Sequence, residues 1–191
     1  MGRIVVTEFI SLDGVVEDPG GSEDFKYGGW SFEFDRGAGG NEFKLDETRA
    51  SEALLLGRVT YEGFAEAWPS RSDEFADKFN SMPKYVVSST LTKPEWTNST
   101  VLAGDDLVEA VSKLKQDAGG DLVVHGSVLL AQALIEHDLV DELRLMVFPV
   151  ILGTGKRLFG DPGEMKTLRF VDSKVVGDGV VILTYAPARP A

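Results

Sequence analysis

Three stretches of this chain combine residue types that suit a small anion. In Leu56-Gly57-Arg58-Val59-Thr60 an apolar run bends at a glycine into a helical pattern, with a guanidinium beside the bend and a hydroxyl in the first turn. Unpaired N–H groups at a helix start, a fixed cation and a short donor side chain together suit a phosphate. A tight turn with a surface arginine gives the same string, and spacing does not separate the two. Val86-Val87-Ser88-Ser89-Thr90 ends a second apolar run in hydroxyls. Hydroxyls there suit a ribose or a phosphate ester, or they terminate the strand by bonding its own backbone. In Val123-Val124-His125-Gly126-Ser127-Val128-Leu129 the side chains carry little chemistry. Gly126 has no β-carbon, so the N–H groups of residues 126 to 129 can approach a bulky anion, with the following helix dipole adding attraction. The plainer alternative is an ordinary strand-to-helix turn.

His125 has a side chain whose ordinary pKa suits a proton donor, or it is a strand-end histidine that is simply hydrogen-bonded. His137, beside Asp138 at the close of a helical pattern, reads as a favourable helix C-terminus. No residue announces itself as catalytic. GTGK at 153 to 156 lacks the upstream glycine of a phosphate-binding loop and the Ser or Thr after Lys156. Dinucleotide G-x-G-x-x-G, hydrolase G-x-S-x-G and zinc H-E-x-x-H motifs are all absent, and two histidines at 125 and 137 suggest no metal site.

Composition narrows the classes further. The chain has 191 residues, 43% hydrophobic and 26% charged, enough for one substantial domain with its own core. Cysteine is absent, which removes thiolate metal sites, cysteine nucleophiles and a disulfide framework, and fits a reducing compartment. A formal net charge of −12 argues against a surface that tracks nucleic acid. It does not exclude an anionic small molecule, because local potential at a site decides. The opening MGRIVVTEFISLDG is too short and too polar for a signal or membrane segment, so the expected location is the cytoplasm.

These stretches need strands and helices to position them. Arg3 to Ser11 reads as a first strand, apolar on both faces and therefore central. Residues 17 to 40 have no clean period, as in a functional lid or a disordered loop, and Phe25, Tyr27, Trp30, Phe32 and Phe34 favour the lid. A weak helix is expected over 41 to 52 and a short strand over 53 to 56. A second helix follows with Tyr61, Phe64, Ala65 and Trp68 on one face, and a third is capped by Ser72. Next come a strand over 84 to 89, one near Val101, and a helix capped by Asp105 and Asp106. A strand over 121 to 125, a helix from Ser127 to about His137, a strand over 143 to 150 and a hairpin around Gly177-Asp178-Gly179 complete the chain. Alternating strands and helices imply an α/β fold in three layers. Its central sheet is mostly parallel and ends in an antiparallel hairpin. Ligands in such sheets bind beyond the carboxyl ends of the strands.

SLDGVVEDPGG at 11 to 21, LLLGRVTYEGF at 54 to 64, KYVVSSTL at 84 to 91 and VVHGSVLLAQALIEHDLVDELRLMVFPVILGTGKRLF at 123 to 159 together resemble the dihydrofolate-reductase-like superfamily. Within it they are most similar to the reductase domain of bifunctional riboflavin-biosynthesis proteins. The likeness spans nearly the whole chain, and its most specific part is Leu-Val-Asp-Glu-Leu with Pro149 and Gly-Thr-Gly. It implies one domain over 1 to 191. The implied activity is an NADPH-dependent reductase, similar to 5-amino-6-(5-phosphoribosylamino)uracil reductase, that moves hydride to a C=N or C=O group of a small substrate. It further implies that Gly57, Arg58 and Thr60 hold phosphates, and that Ser88 and Ser89 face the adenosine ribose with its 2′-phosphate. Gly126, Ser127, Val128 and Leu129 would hold the pyrophosphate. Asp13, Gly14 and Val16 would lie near the nicotinamide, and two copies would pair through the C-terminal strands. Trp30 and His125 are substrate candidates read from the residues themselves, Trp30 as a substrate-facing lid residue or as plain loop core.

Two departures stand out. No residue among Glu33, Asp35, Glu42, Asp46 and Glu47 matches the helix carboxylate of dihydrofolate reductases, and His125 replaces the glutamate usual before the helix glycine in the riboflavin branch. The alternative reading is an NADP(H)-binding sensor or assembly protein without turnover, with flavin binding a third.

Overall fold

The computed structural model describes residues 1–103, 106–160 and 163–188. Eight strands form one sheet: β1 (Arg3–Ser11), β2 (Ser51–Gly57), β3 (Lys84–Ser88), β4 (Ser99–Ala103), β5 (Asp121–His125), β6 (Glu142–Phe148), β7 (Leu168–Val176) and β8 (Val180–Pro187). Their order across the sheet is β4-β3-β2-β5-β1-β6-β8-β7. The strands from β4 to β6 in that order pair in parallel, whereas β8 runs antiparallel to both β6 and β7. The fold is thus α/β with a mostly parallel sheet and an antiparallel C-terminal hairpin, as the alternating pattern predicts.

Helices cover both faces because the central strands are apolar on both. On one face α4 (Leu107–Asp117) and α5 (Val128–Glu136) bring Val111, Leu114, Leu130 and Leu134 against Ile4, Val6, Leu55, Leu122 and Val124. The other face carries α1 (Gly37–Ala50), α2 (Arg58–Ala67) and α3 (Glu74–Ser81). There Tyr61, Phe79 and Trp96 pack on Leu54, Leu56 and Val86. Further along that face, Trp30 joins Met146, Phe148 and Ile182.

Several boundaries differ from expectation for local reasons. The first helix starts at Gly37, not Asn41, because the chain turns at Arg36 and Gly37, whose φ is 61°. Its glycines are tolerated where it touches the hairpin, since Gly39 and Gly40 lie against Val176. The cap of α3 is Asp73 rather than Ser72: the Asp73 carboxylate accepts from Ala76 N–H at 2.8 Å. Asp106 caps α4 by accepting from Glu109 N–H at 2.9 Å, and Asp105 lies outside the described residues.

The segment from 17 to 36 is a compact loop built on Asp18. The Asp18 carboxylate accepts from Ser22 N–H at 2.6 Å and its carbonyl accepts from Gly29 N–H at 2.9 Å. Trp30, in a 3-10 turn over Trp30–Glu33, is buried and donates its indole N–H to the Glu17 carbonyl at 2.8 Å. The loop's end is fastened to the β7–β8 hairpin. Asp178 N–H donates to the Asp35 carbonyl at 2.8 Å and Asp35 N–H donates to the Asp178 carboxylate at 2.9 Å. Gly177, at φ 48°, permits this, since a β-carbon there would stand 1.9 Å from the Asp35 oxygen. Gly177→Ala should therefore cost about 2 to 4 kcal/mol through overpacking and left-handed strain, read as a fall in urea midpoint. A midpoint equal to wild type would show that the hairpin tip does not bear on the loop.

Candidate functional site

The carboxyl ends of β2 and β5, neighbours in the sheet, each lead into a helix, α2 and α5. Two hydroxyls lace these junctions together. Ser127 Oγ accepts from Gly57 N–H at 2.9 Å, and Thr60 Oγ1 accepts from Ser127 N–H at 2.9 Å. Close approach favours glycine at 126, where the φ is positive and a β-carbon would lie 3.3 Å from Thr60 Oγ1; one on Gly57 would make only ordinary contact with Ser127 at 3.5 Å. Gly126 and Ser127 both adopt the left-handed conformation, at φ 57° and 58°. The result is a pair of helix N-termini side by side, neither carrying a side-chain cap. First-turn amides have no partner inside a helix, so this edge is polarised positive.

The lacing changes which amides are available. Of residues 126 to 129, expected to present their N–H groups together, Ser127 spends its own on Thr60. Val128 and Leu129 remain as first-turn donors, with Leu129 fully out in solvent. Arg58, the first residue of α2, is exposed and paired with Glu62 at 2.8 Å, within the same helix. Ser88 follows the plainer of its two sequence readings. Its buried hydroxyl accepts from Thr90 and Leu91 N–H at 3.1 and 2.9 Å, while Ser89 is exposed.

At the end of β1, Asp13 accepts from Ser11 Oγ at 2.7 Å and from Leu152 and Gly153 N–H at 3.1 and 2.9 Å. These bonds, led by that from Ser11, hold its pKa down to about 2. Gly14 turns the chain at φ 85°, and buried Val16 donates its N–H to the Lys156 carbonyl at 2.9 Å. The Gly-Thr-Gly-Lys stretch is thus a latch on residues 13 to 17. Trp30 is placed as loop core, its ring edge-on to Phe148 at 5.4 Å.

Two buried titratable groups flank Gly126. His125 packs on Phe79 and Phe64, with centroids 5.2 and 6.4 Å away, and its Nε2 is buried without a hydrogen-bond partner. Burial, then the nearby Lys44 charge, push its pKa down to about 3, so it is neutral at pH 7 and holds no imidazolium proton to donate. Glu8, on β1, is 4% exposed, and its Oε1 has no partner. Burial raises its pKa well above the ordinary value, opposed by Lys44 and by the Gly126 amide.

Sequence reasoning passed over Glu8, although a carboxyl inside a strand apolar on both faces is itself a signal. It also passed over a charged network beneath His125. Thr7, the β1 residue paired with His125, accepts from Lys44 Nζ at 2.8 Å. Lys44 also pairs with Glu47, which meets Arg144 at 3.4 Å. Arg144 reaches Glu142 at 2.6 Å and Asp121 at 3.5 Å. Burial alone would push Glu47 up, but Lys44 and Arg144 outweigh it and hold its carboxyl below the ordinary range.

A cleft of about 540 Å³ lined by Ala65, Asn80 and Trp96 lies at the opposite end of α2 from the laced junctions. Among the described residues no group of three or more His, Cys, Asp or Glu stands ready to hold a metal ion, and no helix is long and apolar enough to cross a membrane.

Residues 3–182 match the profile of the RibD C-terminal domain family. Protein YyaP of Bacillus subtilis strain 168 is 31% identical over 188 residues, covering 96% of this chain and 94% of its own length. A solved protein from Shewanella sp. PV-4 assigned to riboflavin biosynthesis superposes with TM-score 0.77 at 25% identity, over 98% of this chain and 99% of its own. Dihydrofolate reductase of Enterococcus faecalis, solved with NADP(H), shares the fold at TM-score 0.62 and 17% identity, covering 98% of this chain and 97% of its own.

Because burial raises the Glu8 pKa in the fold, its stabilising contribution is fully present below its ordinary value of 4.5 and lost as pH rises through the raised one. Thermal unfolding across a pH series should show wild-type Tm declining toward alkaline pH and Glu8→Gln with a flatter profile. Parallel profiles would mean Glu8 titrates like an exposed carboxylate.

Proposed function

Because the chain belongs to the RibD C-terminal domain family, we propose that it is an NADPH-dependent reductase delivering hydride to a C=N or C=O group of a small, heterocyclic substrate. The observation that carries this reading is the pair of uncapped helix N-termini laced together by Ser127 and Thr60. A dianionic pyrophosphate is the kind of group such an edge attracts.

The residues present fit that cofactor. Gly126 keeps clear the space a β-carbon would crowd beside Thr60, and Arg58 is exposed at the start of α2, free to exchange Glu62 for a phosphate. First-turn amides of α2 and α5 would hold the phosphates, with Ser89 available at the adenosine side. Bound NADPH supplies the hydride; the protein supplies orientation and exclusion of water. Burial works against a negative charge on Glu8 next to the cradle, which favours an anionic cofactor. The 17 to 36 loop covers the substrate side and shields it from water.

Isothermal calorimetry with NADPH tests the reading directly: saturable uptake is expected, and no heat at millimolar NADP(H) would remove it. Arg58→Ala should weaken NADPH more than NADH, by about tenfold, if the guanidinium reaches the 2′-phosphate. Equal losses would place it on the pyrophosphate. The alternative, a cofactor-binding sensor without turnover, is favoured by the absence of a catalytic carboxylate on α1 facing an open site, since Glu47 is consumed by Lys44 and Arg144. It requires tight binding with no NADPH oxidation across a panel of cyclic imines and carbonyls. A cytoplasmic homodimer joins this proposal, its interface on β7, where Phe170, Val171 and Val175 are exposed. Sedimentation showing a monomer at micromolar concentration would remove the dimer.

A further inference from the structure

Two described arginines are half-buried, Arg36 and Arg144, and they live in opposite circumstances. Arg144 is surrounded by the carboxylates of Glu47, Glu142 and Asp121. Arg36 has no hydrogen bond or ion pair from its guanidinium to any described residue; its contact is with the Phe9 ring, 5.0 Å from the centroid. The half-buried guanidinium, five donors in a rigid planar fork, faces water in part and no anion among the described residues. This occurs in a chain where 31 acidic residues outnumber 19 lysines and arginines, so a carboxylate partner was plentiful.

The position of Arg36 is equally specific. Phe9 projects from the same sheet face as Thr7, two residues earlier on β1, and Thr7 is the register partner of His125. Lys44 stands over the same Phe9 ring at 5.6 Å, but its charge is consumed by Glu47 and its ammonium by Thr7. Burial draws the Arg36 pKa below its ordinary value, opposed by neighbouring Asp35, the signature of a cation short of anions. Arg36 is therefore a cation without an ion-pair partner among the described residues, with Asp35 its acidic neighbour, and it stacks on a ring near the carboxyl end of β1.

We propose that Arg36 is a specificity-determining residue whose guanidinium, stacked on Phe9, receives a monoanionic carboxylate carried by the substrate. This rests on the reductase reading for the word substrate, while the anion site itself does not depend on it. An unpaired guanidinium beside Asp35 suits a monoanion better than a phosphate dianion, which would set two negative charges against that carboxylate. The planar fork matches a carboxylate through two parallel hydrogen bonds.

The test follows the Arg36 Nε–H signal by nitrogen-15 NMR in the full chain, with and without NADPH. The probes are orotate, a planar ring carboxylate, ribose 5-phosphate, and uracil as the neutral control. The proposal expects orotate to shift the Arg36 signal saturably at millimolar concentration and uracil to leave it unmoved. Arg36→Met should weaken orotate binding by about tenfold or more, and Arg36→Lys by less. Arg71→Met removes another ring-stacked arginine, exposed over Trp68, and should leave binding unchanged. A silent Arg36 signal with orotate overturns the proposal, as does an Arg36→Met variant that melts like wild type and binds orotate equally. A response to ribose 5-phosphate as strong as that to orotate overturns the carboxylate assignment. Failure of NADPH to bind removes the reductase reading alone, because the free-protein titration still reports on Arg36.

Discussion

Where a parallel strand runs into a helix, the backbone leaves donors that nothing local can satisfy, and in this protein two such junctions satisfy each other. Ser127 turns its hydroxyl back to Gly57 while giving its own N–H to Thr60. That exchange fixes the spacing between α2 and α5 and accounts for the glycine at 126. Everything proposed for the strand edge depends on it, because without the crossed pair the two helix starts would be independent weak dipoles rather than one shared positive rim.

The same economy governs the interior beneath the rim. Placing a carboxyl in the central strand of a sheet covered on both sides is expensive unless it is paired or protonated. Glu47 is paired and Glu8 is not, and the difference lies in their neighbours. Glu47 has Lys44 and Arg144 at hand, whereas Glu8 has a more distant Lys44 and the Gly126 amide, too little to offset its burial. The division keeps ionised groups paired on the α1 side and penalises a negative charge under Gly126.

Strand and helix order was legible because alternation and apolar runs are local, and six of the eight strands sit in the parallel block that this order predicts. The identity of the cap of α3 was not: Ser72 and Asp73 are both good caps, and only the actual turn chooses the carboxylate. The glycine bends and hydroxyls of the candidate site were also visible in the string. Their partners were not, since Gly57 and Ser127 lie far apart in sequence and the bond between them is a product of sheet order. Ser88 shows the reverse lesson, a hydroxyl whose placement suited a ligand but whose bonds are spent within three residues. Arg36 left no trace in the sequence, because what distinguishes it is the absence of a partner, and only packing can reveal that.

The tie between Asp35 and the hairpin tip at Asp178 makes the covering loop and the sheet's final two strands a single mechanical body. A loop hinged only on its own ends can swing alone; this one is bolted to β-structure at its exit. Any displacement of this loop must either shear those two hydrogen bonds or carry the end of the sheet with it, so the most C-terminal strands restrain a segment drawn from the opposite end of the chain.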